Sequence, residues 1–110
     1  MAQKPETVFK QRIMPFLKRL PKTWVVKVQQ VSIRGTPDIL MCVNGVFVAL
    51  ELKTIVGKVD QLQQYTIDKI NRCGGYAFIV DPSNWERIHE FLKYLSEKST
   101  SRIDTNGVML

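Results

Sequence analysis

The sequence predicts an α/β domain with a mixed central sheet flanked by helices and a further helix at its C-terminal end. Three observations predict it. Apolar residues recur at helical spacing at both ends of the chain. The central strand-like runs are apolar on both faces, as in sheets covered on both sides. Between two of those runs lies Asn44-Gly45, the strongest short-range hairpin signal. At 110 residues the chain is long enough for one core, and we place a single domain at 1–98, followed by a flexible or docking tail at 99–110.

The elements follow in order. Phe9, Ile13, Phe16, Leu17 and Leu20 form an amphipathic stripe over about 5–19, with Pro15 expected to kink or break the helix and Pro21 to end it. Trp24 to Ile33 alternates and is rich in β-branched residues, which reads as a strand broken by Arg34-Gly35-Thr36-Pro37. Hairpin strands follow at about 38–43 and 46–53. A helix is predicted from about Val59 to Arg72, stopped by Gly74-Gly75. Tyr76 to Val80 is a short buried strand. Ser83 and Glu86, in capping-box spacing, open a last helix whose core stripe includes Trp85, Ile88, Phe91, Leu92 and Leu95. The order is α-β-β-β-α-β-α, and the strand–helix–strand run from 46 to 80 suits a parallel crossover.

Composition narrows the function classes. The longest apolar stretches are strand-length, too short to span a membrane, and the amino terminus lacks the apolar core of a signal peptide. Cys42 and Cys73 have no metal-ligand spacing and read as buried or semi-buried thiols in a reducing cytoplasm. Net charge is +6, and residues 1–34 hold eight basic side chains against one acid, Glu6. A basic half on a small domain favours a polyanion such as nucleic acid. His89 is the only histidine, so no Ser/His/Asp or Cys/His triad can be assembled. Trp24 and Trp85 read as core residues rather than base-stacking platforms.

If Asn44 and Gly45 are the central turn residues, cross-strand partners have numbers summing to 89, and Asp38 faces Glu51. Directly opposed residues share a face, and Lys53 projects from it too. Like charges so opposed destabilise a sheet, and a buried carboxylate without a partner is costly. A divalent cation removes the repulsion, and two carboxylates with a backbone carbonyl and waters form the oxygen set that Mg²⁺ prefers. Lys53 is either an ordinary ion-pair partner or, beside a metal, a positive charge for a phosphorane-like transition state. Gln63 shares a helix face with Ile67 and Ile70 but also has capping-box spacing from Asp60, so both readings stay open. Glu6, three residues before Phe9, sits at the inward edge of the first helix, an odd place for a carboxylate without a partner.

With Gly35-Thr36-Pro37-Asp38, Glu51-Leu52-Lys53, Glu6, Gly57, Gln63 and the Gly74-Gly75 stop before an apolar strand, the chain resembles the PD-(D/E)XK nuclease superfamily. Within it the likeness is to the VRR-Nuc type, which is similar to archaeal Holliday-junction resolvases. The resemblance spans about residues 6–80 and implies a restriction-endonuclease-like αβββαβ core. It implies that Asp38 and Glu51 hold Mg²⁺ or Mn²⁺, with the Leu52 carbonyl as a further ligand and Glu6 assisting directly or through water. Lys53 would be the catalytic lysine, and Gln63 would contact or orient the scissile phosphate. Lys10, Lys18, Arg19, Lys22, Arg34 and Lys58 would contact phosphates without reading sequence, and Thr36 could also touch DNA.

The expectation is therefore a metal-dependent endonuclease on DNA, structure-selective for branched substrates, from a bacterium or from a phage-infected cytoplasm. Symmetrical cleavage of a junction needs two sites and so a homodimer. A single-strand, flap or nicking nuclease of the same fold, an RNase, and a non-catalytic nucleic-acid-binding module stay open.

Overall fold

A computed structural model describes residues 5–29, 33–54 and 59–99, apart from the side chain of Glu6. Helix α1 (Pro5–Lys18) is followed by strands β1 (Thr23–Lys27), β2 (Ile39–Val43) and β3 (Val46–Leu52). Helix α2 (Gln61–Arg72), strand β4 (Tyr76–Val80) and helix α3 (Trp85–Glu97) complete the order. The sheet runs β1-β2-β3-β4, antiparallel except for the parallel β3–β4 pair. It is a mixed four-stranded sheet with helices on both faces.

The hairpin register is the one the Asn44-Gly45 turn predicts: Val43 pairs with Val46, Leu40 with Ala49 and Ile39 with Leu50. Asn44 and Gly45 both take positive φ, 51° and 84°, as a type I′ turn requires. Asn44 Nδ2 also donates to the carbonyls of Leu95 and Lys98, which ties the turn to the end of α3.

Residue parity divides the sheet. Ile39, Met41, Val43, Val48, Leu50, Leu52 and Val80 face α1 and α3, burying Phe9, Ile13, Leu17, Trp85, Ile88 and Leu92 in the main core. Leu40, Ala49, Ala77 and Ile79 face α2, where Ile67 and Ile70 close a smaller cluster. Helix α2 packs mainly on β3 and β4, and on the same face Trp24 of β1 and Cys42 of β2 are left exposed.

The two sheet edges differ. The Val28 N–H donates to the Asp38 carbonyl and the Asn44 N–H to the Lys22 carbonyl, so the even-numbered residues of β1 bond to β2. Thr23, Val25 and Lys27 therefore turn their backbone groups outward. On β4, Asn71 bonds both the N–H and the carbonyl of Ala77, and Asn84 Nδ2 donates to the Ile79 carbonyl. Side-chain amides thus occupy the β4 edge, one way of keeping further strands off it.

Several expectations are corrected. Pro15 does not break α1, which is uninterrupted; its ring is exposed and leaves the buried neighbours Ile13 and Leu17 undisturbed. The first strand stops at Lys27 rather than Ile33, with one further ladder bond from the Val28 N–H to the Asp38 carbonyl. Ile33 is 73% exposed in a turn. Helix α3 has Asn84 as its N-cap and no capping box from Ser83. The Ser83 hydroxyl instead bonds the Asp81 carboxylate, which also accepts the Ser83 and Asn84 N–H groups. These bonds, the Ser83 hydroxyl first, hold the Asp81 carboxyl below its ordinary pKa. Both cysteines are exposed free thiols, since Cys42 points to the α2 side where α2 does not reach and Cys73 ends that helix. Trp85 is core, but Trp24 is 65% exposed for the same reason as Cys42. The tail expected at 99–110 lies, from residue 100 on, outside the described residues.

Candidate carboxylate site

The C-terminal end of β3 gathers the candidate site. Glu51 lies on the α2 face in the last turn of strand before the chain leaves the sheet, and it is only 3% exposed. Two groups address its Oε2: Gln63 Nε2 donates from 3.1 Å, and Lys53 Nζ stands 4.0 Å away. Lys53 is placed by the sheet, because its N–H donates to the Val80 carbonyl at 2.8 Å and continues the parallel ladder by one residue. Alternation then points Lys53 to the same face as Glu51. A charge buried this deeply needs such partners, and no buried side-chain polar atom among the described residues lacks one.

Asp38 stands just ahead of β2, at the position the hairpin register sets opposite Glu51. Its Oδ2 accepts the Leu52 N–H at 2.8 Å. The carboxylate therefore hangs beside the peptide that joins Glu51 to Leu52, and it arrives there without a regular strand residue's geometry. Its other oxygen lies 3.9 Å from Lys10 Nζ on α1. Among the described residues, Lys10 reaches Asp38 from a helix and Lys53 reaches Glu51 from the sheet.

Gln63 caps α2, as its spacing from Asp60 offered, and it also bonds the buried Glu51. Asp60 Oδ1 accepts the Gln63 N–H at 2.8 Å, and Gln63 Oε1 accepts the Asp60 N–H at 3.2 Å, a complete capping box. The amide oxygen secures the start of α2 while the amide nitrogen reaches Glu51. One side chain ties the helix terminus to the buried carboxylate.

The loop before Asp38 is fixed against the same helix. Gly35 has φ +86°, and a Cβ there would lie 2.9 Å from Leu62 Cγ and 3.0 Å from Thr66 Oγ1. Thr36 Oγ1 donates to the Ile33 carbonyl at 2.7 Å, a turn-forming role, and Arg34 is exposed in the same turn. Loop and helix together position Asp38.

No protein-family model matches the chain, and no curated protein or solved structure gives a significant match.

Among the described residues, Asp38, Glu51, Lys53 and Gln63 come together, with Lys10 added. The sequence marked Lys10 only for phosphate contact; the signal for more was its place one turn beyond Glu6 on the same helix. The side chain of Glu6 and all of Lys58 lie outside the described residues. The remaining cations are spread. Lys18 borders a groove between α1 and β1, and Lys22 precedes β1 with φ 53°. Arg19 lies over the Phe16 ring, beside the hollow lined by His89 and Lys93. His89 stacks on Trp85 and meets Phe16 edge-on, a packing role.

The donor set suits a hard cation, since Asp38, Glu51 and the Leu52 carbonyl offer oxygen alone. No cluster of three or more His, Cys, Asp or Glu side chains occurs among the described residues, so the pair is what they supply. No helix among them is long and apolar enough to cross a membrane.

Proposed function

We propose that this chain is a metal-dependent endonuclease that hydrolyses DNA phosphodiester bonds, of the PD-(D/E)XK superfamily and its VRR-Nuc type. The observation that carries the reading is the convergence of Asp38, Glu51, Lys53 and Gln63 at one end of the sheet. The element order from α1 to β4 supports a restriction-endonuclease-like core. Asp38, Glu51 and the Leu52 carbonyl would hold Mg²⁺ or Mn²⁺, with Glu6 assisting. When bound, the metal neutralises non-bridging phosphate oxygens and makes a water nucleophilic near neutral pH.

The chain's own residues prepare that step. Gln63 fixes one oxygen of Glu51, so the carboxylate presents a set orientation. Lys53 brings a positive charge to where negative charge grows on the phosphate. The Leu52 N–H holds Asp38 in place, and Lys10 and Arg34 add cations where a DNA backbone would approach. Branched DNA is the preferred substrate, cut by a homodimer with one site per strand.

The test is cleavage of junction, flap, duplex and single-stranded DNA, with and without added Mg²⁺ or Mn²⁺. Asp38→Asn should abolish metal-dependent cleavage while DNA binding persists. Equal activity of variant and parent would refute the assignment, and binding with no cleavage under any metal would leave a binding module instead.

A further inference from the structure

On the α2 face of the sheet, residues from neighbouring strands form rows. Asp38 and Glu51 occupy the row at the loop end. Two residues along comes Val26, Leu40 and Ala49, and two further along comes Trp24, Cys42 and Phe47. The last row is open: Trp24 is 65% exposed, Phe47 is 45% exposed and Cys42 is exposed between them. At about 3.3 Å per residue it lies about 13 Å from the carboxylates. The rings stand two strands apart, about 10 Å. Phe47 is held in place, because its ring packs on Gly75 so closely that a Cβ there would lie 3.2 Å from Phe47 Cδ1.

Trp24, Cys42 and Phe47 adjoin across three strands, and it is contiguity of this kind, rather than a single exposed ring, that distinguishes a binding surface. The charge around them says for what. Lys22 lies two residues before Trp24, in the turn that leads into β1. Lys69 follows Leu62 and Thr66 along the flank of α2 that closes on Gly35, and Arg34 stands at the other end of that flank. No Asp or Glu occupies the Trp24 row or the Val26 row. An apolar, aromatic strip bordered by cations fits a ligand with flat apolar faces and a polyanionic backbone.

We infer that the Trp24–Phe47 row is a stacking platform for an unpaired segment of DNA whose backbone continues to the carboxylate site. This rests on the nuclease reading and deepens it: the substrate carries unpaired nucleotides about two residues from the bond to be cut. Bases in a duplex cannot reach the rings, whereas an unpaired strand lays successive bases on them.

The experiment uses the full chain in metal-free buffer, so that binding is read without cleavage. Oligothymidylate should quench the fluorescence of exposed Trp24 while buried Trp85 stays unaffected, and should slow alkylation of Cys42 in a Cys73→Ser background. Trp24→Ala and Phe47→Ala should each weaken oligothymidylate binding by about tenfold, with Trp24→Phe close to the parent and duplex affinity little changed. Unchanged oligothymidylate affinity in both alanine variants overturns the platform. So does a Trp24→Ala variant that loses self-association without losing affinity per chain, which would assign the row to a second copy. Quenching with oligoribouridylate but not oligothymidylate overturns the choice of DNA. Failure here leaves metal-dependent cleavage intact, and absence of cleavage leaves metal-free binding intact, so the two readings fail separately.

Discussion

At the scale of the residue, Glu51 is the side chain on which the site depends. A carboxylate 3% exposed is tolerated because Gln63 and Lys53 address it. Removing the lysine leaves a buried charge with less compensation, and breaking a buried pair is strongly destabilising, whereas replacing both partners can be close to neutral. Lys53→Met should therefore lower unfolding stability by about 2–3 kcal/mol at neutral pH, more than the Glu51→Gln/Lys53→Met double variant does. Urea denaturation of the three proteins checks this, and Mg²⁺ should recover part of the loss in Lys53→Met alone. Equal losses in single and double variants would mean that the 4.0 Å contact is incidental.

At the scale of the element, the hairpin, the glycine turn and α2 act as one unit. Gly35 sits where only a residue without a Cβ fits, at positive φ and against Leu62 and Thr66. Gly35→Ala should cost about 1–2 kcal/mol from the left-handed backbone alone, and more from the collision. It should also lower cleavage beyond what the stability loss explains, because Asp38 follows three residues later. Melting temperature and activity measured on one preparation separate these effects. The hairpin register was legible in the sequence because a two-residue Asn-Gly turn leaves one pairing. From it followed the face shared by Asp38, Glu51 and Lys53. The limits of β1 were not legible, since they depend on where its partner strand ends, and among the described residues Val28 is the last to find an acceptor there. The exposure of Trp24 was equally hidden. An apolar residue in an alternating strand is assigned to a core by pattern, but cover depends on which strands the helix crosses, and α2 packs mainly on β3 and β4. The second role of Gln63 was half visible: its spacing from Asp60 showed the cap, and only the packing of α2 brought its nitrogen to Glu51.

At the scale of the whole molecule, charge is divided unevenly, with a balance of +7 over residues 1–34 and −1 over the rest. If that half carries the phosphate contacts, the logarithm of DNA affinity should fall linearly with the logarithm of salt concentration, with a slope of about −0.9 per phosphate neutralised on duplex. Lys22→Ala should reduce the slope by about one without changing any sequence preference; filter-binding titrations across a salt series read it directly. The edges of the sheet are as unequal as the charge. With Asn71 and Asn84 occupying the β4 edge, β1 is, among the described residues, the edge that offers backbone groups to a new strand. Two chains that join through β1 use up that edge on both, so sheet growth terminates at a pair. A sheet with one open edge is in this way guarded against strand-by-strand growth into a fibre.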